Sequence, residues 1–125
     1  MRVLVCGGRD FSDWPTANRV LDALHAKTPI RCIIEGGASG ADEIASDWSD
    51  ANDIPEHRMV RAKWSKHGRA AGPIRNQEMI DECKPDLVVA FPGGRGTADM
   101  VRRAKAAGIR VIEVQHNPPP APKGF

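Results

Sequence analysis

Apolar positions in this chain follow two rhythms that alternate from the first residues to about residue 114. Short continuous runs carry the β-branched density of buried strands. They are Val3-Leu4-Val5-Cys6, Arg31-Cys32-Ile33-Ile34, Asp86-Leu87-Val88-Val89-Ala90 and Arg110-Val111-Ile112-Glu113-Val114. His57-Arg58-Met59-Val60 is a weaker run and reads as a strand nearer an edge. Between the runs the spacing becomes helical. Ala17, Val20, Leu21 and Leu24 make one stripe, on a helix that begins near Trp14-Pro15, where proline suits a first turn. Ala41, Ile44, Ala45, Trp48 and Ala51 make a second, and Asn76, Met79, Ile80 and Cys83 a third, on a helix that Arg75 opens. Met100, Val101, Ala104 and Ala107 make a fourth, closed by Gly108 as a C′ glycine. Arg61 to Gly72 reads as a polar loop rich in Arg, Lys and Gly.

Strands that alternate with helices predict the α/β class. The expected architecture is a Rossmann-like three-layer sandwich: a five-stranded parallel sheet, order 3-2-1-4-5, with helices on both faces. Right-handed crossovers place every strand's carboxyl end on one edge. In this order the topological switch falls between the first and fourth strands, where such sheets bind ligands.

Three glycine-rich exits converge on that edge. The first is Gly7-Gly8-Arg9, the second Gly36-Gly37-Ala38-Ser39-Gly40-Ala41-Asp42, the third Pro92-Gly93-Gly94-Arg95-Gly96-Thr97. Glycines in the third exit allow positive φ and let a ligand touch the backbone. Thr97 is expected to cap the following helix, leaving first-turn N–H groups and the positive dipole end to attract an anion. The candidate ligand-binding residues are therefore Gly7, Gly8, Arg9, Gly36, Gly37, Ser39, Gly40, Asp42, Arg75, Asn76, Gly93, Gly94, Arg95, Gly96 and Thr97. Arg75 and Arg9 suit charge-assisted phosphate contacts. Asn76 either orders Arg75 or meets the ligand. Asp42 either contacts a ribose hydroxyl or caps its helix. Trp64, with Lys63 and Lys66, is either a base-stacking lid or a loop anchor.

Composition narrows the partners. The net charge of +2 and the absence of tyrosine argue against nucleic acid. No apolar run approaches the ~20 residues of a membrane span, so no membrane partner is expected. Cys6, Cys32 and Cys83 are odd in number and lack C-x-x-C spacing, which predicts reduced thiols and a cytoplasmic setting. The histidines have no ligand spacing, so neither a metal site nor a cofactor is expected. The length suits one domain, residues 1–116. Residues 117–125, Asn117-Pro118-Pro119-Pro120-Ala121-Pro122-Lys123-Gly124-Phe125, read as a flexible proline-rich tail.

Several blocks also resemble a known family: Gly7-Gly8-Arg9-Asp10-Phe11, Gly36-Gly37-Ala38-Ser39-Gly40-Ala41-Asp42, Ala71-Gly72-Pro73-Ile74-Arg75-Asn76-Gln77-Glu78-Met79 and Phe91-Pro92-Gly93-Gly94-Arg95-Gly96-Thr97-Ala98-Asp99-Met100. Over residues 1–114 the chain resembles the YspA, cpYpsA-related branch of the SLOG superfamily. The resemblance implies a Rossmann-like fold, binding or sensing of a nucleotide or nucleotide-derived ligand, and a homodimer. The superfamily also holds cytokinin-activating phosphoribohydrolases, which cleave an N-glycosidic bond, and the single-stranded-DNA-binding DNA-processing protein A. These give two alternative functions. In the phosphoribohydrolases the motif Pro-Gly-Gly-x-Gly-Thr-x-x-Glu supplies a working carboxylate, and here that position is Met100. A thioether cannot handle a proton or stabilise an oxocarbenium ion. A catalytic carboxylate would have to be Asp99, Asp42 or Glu35, and a glutamate restored at position 100 is expected to stand near the free N–H groups.

Overall fold

A computed structural model describes residues 1–115; the tail expected at residues 117–125 lies outside the described residues. The strands are β1 (Arg2–Cys6), β2 (Cys32–Glu35), β3 (Glu56–Met59), β4 (Leu87–Ala90) and β5 (Arg110–Glu113). The helices are α1 (Trp14–Lys27), α2 (Ala41–Ala51), the short α3 (Trp64–His67), α4 (Ala71–Cys83) and α5 (Arg95–Ala106), with a 3-10 turn at Gly68–Ala70. All strand pairs are parallel and the order is β3-β2-β1-β4-β5. This is the Rossmann-like arrangement that the alternating rhythms predict. β1 pairs with β4 from Val3 opposite Leu87 to Cys6 opposite Ala90, so both strands end level at the same edge.

The apolar runs are continuous because the central strands are covered on both faces. Val3, Val5, Ile33, Leu87 and Val89 meet Ala17 and Leu21 of α1 and Ala41, Ala45 and Trp48 of α2. Leu4, Cys6, Ile34, Val88 and Ala90 meet Met79, Ile80 and Cys83 of α4 and Met100 and Ala104 of α5. β3 and β5 are the edges and are more exposed, which explains the weak apolar signal of β3. All three cysteines are buried free thiols. Burial pushes Cys6 up to about 12, so it is an inert core group rather than a nucleophile.

Gly108 does terminate α5, at φ +75. Its N–H donates to Lys105 O and that of Ile109 to Ala104 O, the paired bonds of a Schellman stop. The stretch expected as a loop at 61–72 is different. Trp64–His67 forms one helical turn, and α4 starts at Ala71 rather than at Arg75. Pro73 lies in the first turn of α4, where no intrahelical N–H bond is lost. Arg75 therefore sits on the second turn of its helix. Among the described residues no helix is long and apolar enough to cross a membrane.

Candidate functional site

The β1 and β4 exits are bound together at the switch point. Gly8 N–H donates to Pro92 O at 2.8 Å, and Phe11 stacks on Phe91 with ring centroids 5.1 Å apart. Gly93 is needed for this closeness: a Cβ there would stand 2.7 Å from Gly8 N and 2.2 Å from Thr97 Oγ1. Positive φ is not what these glycines supply. The positive values fall at Gly37 and Gly40, in the β2–α2 loop, while Gly94 has φ −100. Thr97 is not the cap either. Gly94 occupies that position, no side chain caps α5, and Thr97 lies in the first turn.

These exits border an open cavity of about 1040 Å³. Of the residues picked out in the sequence, Gly7, Gly8, Arg9, Gly36, Gly37, Ser39, Asp42, Arg75, Asn76, Gly93, Gly94, Gly96 and Thr97 line it. Gly40, Arg95, Asp99 and Glu35 do not. Gly40 supports the wall from behind, and Arg95 is exposed. Sequence reasoning did not single out Asp10, Phe11, Ser12, Asp13, Arg61 or Met79 as lining residues. Arg61 had a readable signal. Arg58, Arg61, Lys63, Lys66, Arg69 and Arg75 lie between Glu56 and Glu78 with no acidic residue among them. The small overall charge hides this local excess.

The backbone donors of the two glycine loops differ in availability. In the β2–α2 loop those of Gly36, Gly37 and Ala38 are already used, while those of Ser39 and Gly40 make no hydrogen bond among the described residues. Asp42 Oδ2 accepts from Gly36 N and Ala38 N at 3.2 Å each, and Glu35 Oε1 accepts a short bond from Gly37 N. Glu35 Oε2 meets His57 Nε2 at 2.6 Å, and the residue is 1% exposed. At the start of α5, by contrast, the amides of Arg95, Gly96 and Thr97 make no hydrogen bond among the described residues. The head of α5 thus presents three adjacent open donors at this edge.

Arg75 is held from several sides. Nη1 donates to Gly36 O at 3.0 Å and Val60 O at 3.3 Å, and Nε to Asn76 Oδ1 at 3.1 Å. Gly36 exists for this contact, since a Cβ there would lie 2.4 Å from Nη1. Burial pulls the Arg75 pKa down, with Arg9 adding to it, while Asp42 and Glu35 oppose. Asn76 both orders Arg75 and joins α4 to α5, through Gly96 O at 3.2 Å and Asp99 Oδ2 at 3.0 Å. Ser39 Oγ donates to Arg9 O. Trp64 is half exposed on the cavity rim, with the Arg9 guanidinium 5.8 Å from its ring centre.

The carboxylates separate clearly. Burial raises the Asp99 pKa, but Arg103, Asn76 and Arg102 outweigh it and hold the group below its ordinary value. Its oxygens meet Arg102 at 2.6 Å and Arg103 at 2.8 Å. Asp42 alone of the three candidates faces the cavity. Burial pushes it up to about 6, reinforced by Glu35 and opposed by the two loop amides and Arg75. Met100 is 1% exposed and packs in the core under α5, so position 100 does not open on the cavity at all. A glutamate there would not meet the free N–H groups.

Fold and cavity together define a doubly wound, Rossmann-like α/β domain whose switch-point cavity is lined by Arg9, Arg61 and Arg75 together with Asp10, Asp13 and Asp42. A family model described as "YspA, cpYpsA-related SLOG family" matches residues 1–67. The Gene 61 protein of Mycobacterium phage D29 is 39% identical over 126 residues, which cover 94% of this chain and 98% of that one. The chain belongs to the YspA, cpYpsA-related SLOG family.

Proposed function

We propose that the protein binds or senses a nucleotide or a nucleotide-derived phosphate ligand at the carboxyl edge of the sheet. The observation that carries this reading is one convergence. Gly96 and Thr97, whose amides are unbonded among the described residues, and Arg9, Arg61 and Arg75 border the same cavity. The phosphate lies against α5, where fixed donors need no reorganisation. The base lies toward Trp64, whose exposed ring offers a stacking face. The volume suits a small ligand, and a cavity with Trp64 as its exposed aromatic face is unlike the aromatic-laced grooves that track a single strand. Hydrolysis is not part of the proposal. Of the candidate carboxylates, Asp99 and Glu35 are committed elsewhere and only Asp42 borders the ligand space. The ligand-binding unit is the domain 1–116, working in the cytoplasm, and a homodimer is its proposed assembly.

Gly96→Val tests the phosphate position. A Cβ at Gly96 meets nothing within 4 Å, so the fold has room for it, while the residue lines the cavity. Calorimetry with nucleoside monophosphates should show binding weakened roughly a hundred-fold to ten-thousand-fold, as two charge-assisted bonds of about 1.5–3 kcal/mol each are blocked. The melting temperature should stay close to the parent's. A stable variant with parental affinity would remove α5 from the site.

A further inference from the structure

Resting on the nucleotide reading, the geometry points to a division of labour inside the cavity. We propose that Asp42 and Arg75 read the sugar of the ligand rather than its phosphate. Asp42 Oδ1 accepts a hydrogen bond from a ribose hydroxyl, and Arg75 donates to the neighbouring one.

The two side chains flank Gly36. A Cβ built on Gly36 would stand 2.4 Å from Arg75 Nη1 and 3.0 Å from Asp42 Oδ2, so they form one wall. Asp42 Oδ2 is spent on Gly36 N and Ala38 N. Oδ1 makes no hydrogen bond among the described residues, and no buried side-chain oxygen among them lacks a partner, so Oδ1 keeps access to the cavity that Asp42 lines. Arg75, which lines the cavity, spends Nη1 on two carbonyls and Nε on Asn76, and its Nη2 makes no hydrogen bond among the described residues. The wall thus offers an acceptor and a donor together, the pairing that a vicinal diol satisfies with its own donor and acceptor.

Charge favours hydroxyls over phosphate at this wall. A phosphate against Arg75 would also meet Asp42 and, behind it, Glu35, both negative when ionised. The α5 terminus carries no such acidic neighbour in its first turn. The groups whose charge acts on Asp42 are Glu35 from β2 and Arg75 from α4, besides the amides of its own loop. Asp42 is pushed up to about 6, so it changes from acid to carboxylate within an accessible pH range, and a carboxylate is the stronger acceptor.

The test is calorimetry of the whole chain with the four ribonucleoside monophosphates and their 2′,3′-dideoxy counterparts. At pH 7.5 the parent should bind the best ribonucleotide about ten-fold to a hundred-fold more tightly than its dideoxy form. That ratio should shrink at pH 5, where Asp42 is protonated; phosphate ionisation affects both ligands and cancels in the ratio. In Asp42→Asn the amide oxygen can keep the loop bonds and the NH2 faces the cavity, so the ratio should fall several-fold and lose its pH dependence. Melting temperatures of the variant show whether the loop survives; a melted Asp42→Asn leaves the parent's two ratios as the deciding measurement. Equal affinity for both forms in the parent at pH 7.5 overturns the proposal while leaving the nucleotide reading intact. An unchanged ratio in folded Asp42→Asn overturns it too. If no nucleotide of either series binds, the nucleotide reading falls and this inference with it.

Discussion

Gly40→Ala should destabilise the domain by about 3–5 kcal/mol, from a backbone conformation closed to side chains and from overpacking. Gly40 has φ +77 and is the cap residue of α2. Its missing Cβ would stand 2.2 Å from Gly8 O and 2.6 Å from Arg9 O. Those atoms cannot swing aside. Gly8 O accepts from both Phe11 N and Ala41 N, so it fixes the β1 exit and the start of α2 together. A loss of that size is a large share of the ~5–15 kcal/mol that holds a typical domain. Urea denaturation checks it, with Gly68→Ala as the comparison. Gly68 also has positive φ, +57, but a Cβ there meets nothing within 4 Å. It should cost only the conformational part, about 1–2 kcal/mol. Equal midpoints for the two variants would mean that the Gly8–Gly40 junction yields easily.

Met100→Glu should cost about 4–6 kcal/mol at pH 7, through lost apolar burial and a carboxyl forced into the core. Met100 belongs to the buried cluster that holds Leu4, Cys6, Met79, Val88 and Ala90, none of which carries a positive charge to pair with a carboxylate. The buried acid would keep its proton, so its folded pKa would lie above the unfolded value near 4.3. The native state then binds the proton more tightly, and stability falls as pH rises from the unfolded value through the folded one. The variant should therefore melt at a higher temperature at pH 5 than at pH 7, a gap that the parent should not show to the same degree. A variant that keeps parental stability and releases base from a nucleoside monophosphate would show instead that position 100 faces the ligand. Resemblance to the phosphoribohydrolase motif made position 100 look like a damaged catalytic post. Its packing makes it a core residue.

The layout of the sheet was legible because burial leaves a periodic trace. Val88 and Val89 point to opposite faces of β4 and both are buried, so the run reads as continuous. The helix stripes are the other half of the same contacts. Strand boundaries moved by about a residue, as at β2, because single bonds at strand ends leave no pattern. The turn Trp64–His67 was missed since no residue in it is buried, so there is no apolar stripe to see.

The site was legible as a place and less so as a mechanism. Three glycine exits at one edge follow from strand order, and most of their residues border the cavity. What each glycine does depends on partners far along the chain. Gly36 yields to Arg75, and Gly93 to Gly8, relations that no local spacing encodes. The spending of the β2–α2 amides on Glu35 and Asp42 was equally invisible. Sequence singled out the α5 terminus for its free donors, and nothing in the spacing marked the Gly36, Gly37 and Ala38 amides as already bonded.

That asymmetry makes an amide NMR titration the most direct measurement. The protein is titrated with the nucleoside monophosphate that binds best by calorimetry. The amides of Gly94, Arg95, Gly96 and Thr97 should shift most, downfield, as they bond to phosphate, and those of Gly36, Gly37 and Ala38 should move far less because their acceptors are already in place. Shifts concentrated in Gly36, Gly37 and Ala38 with α5 unmoved, or no shift at the carboxyl edge at all, would contradict a phosphate site at the head of α5.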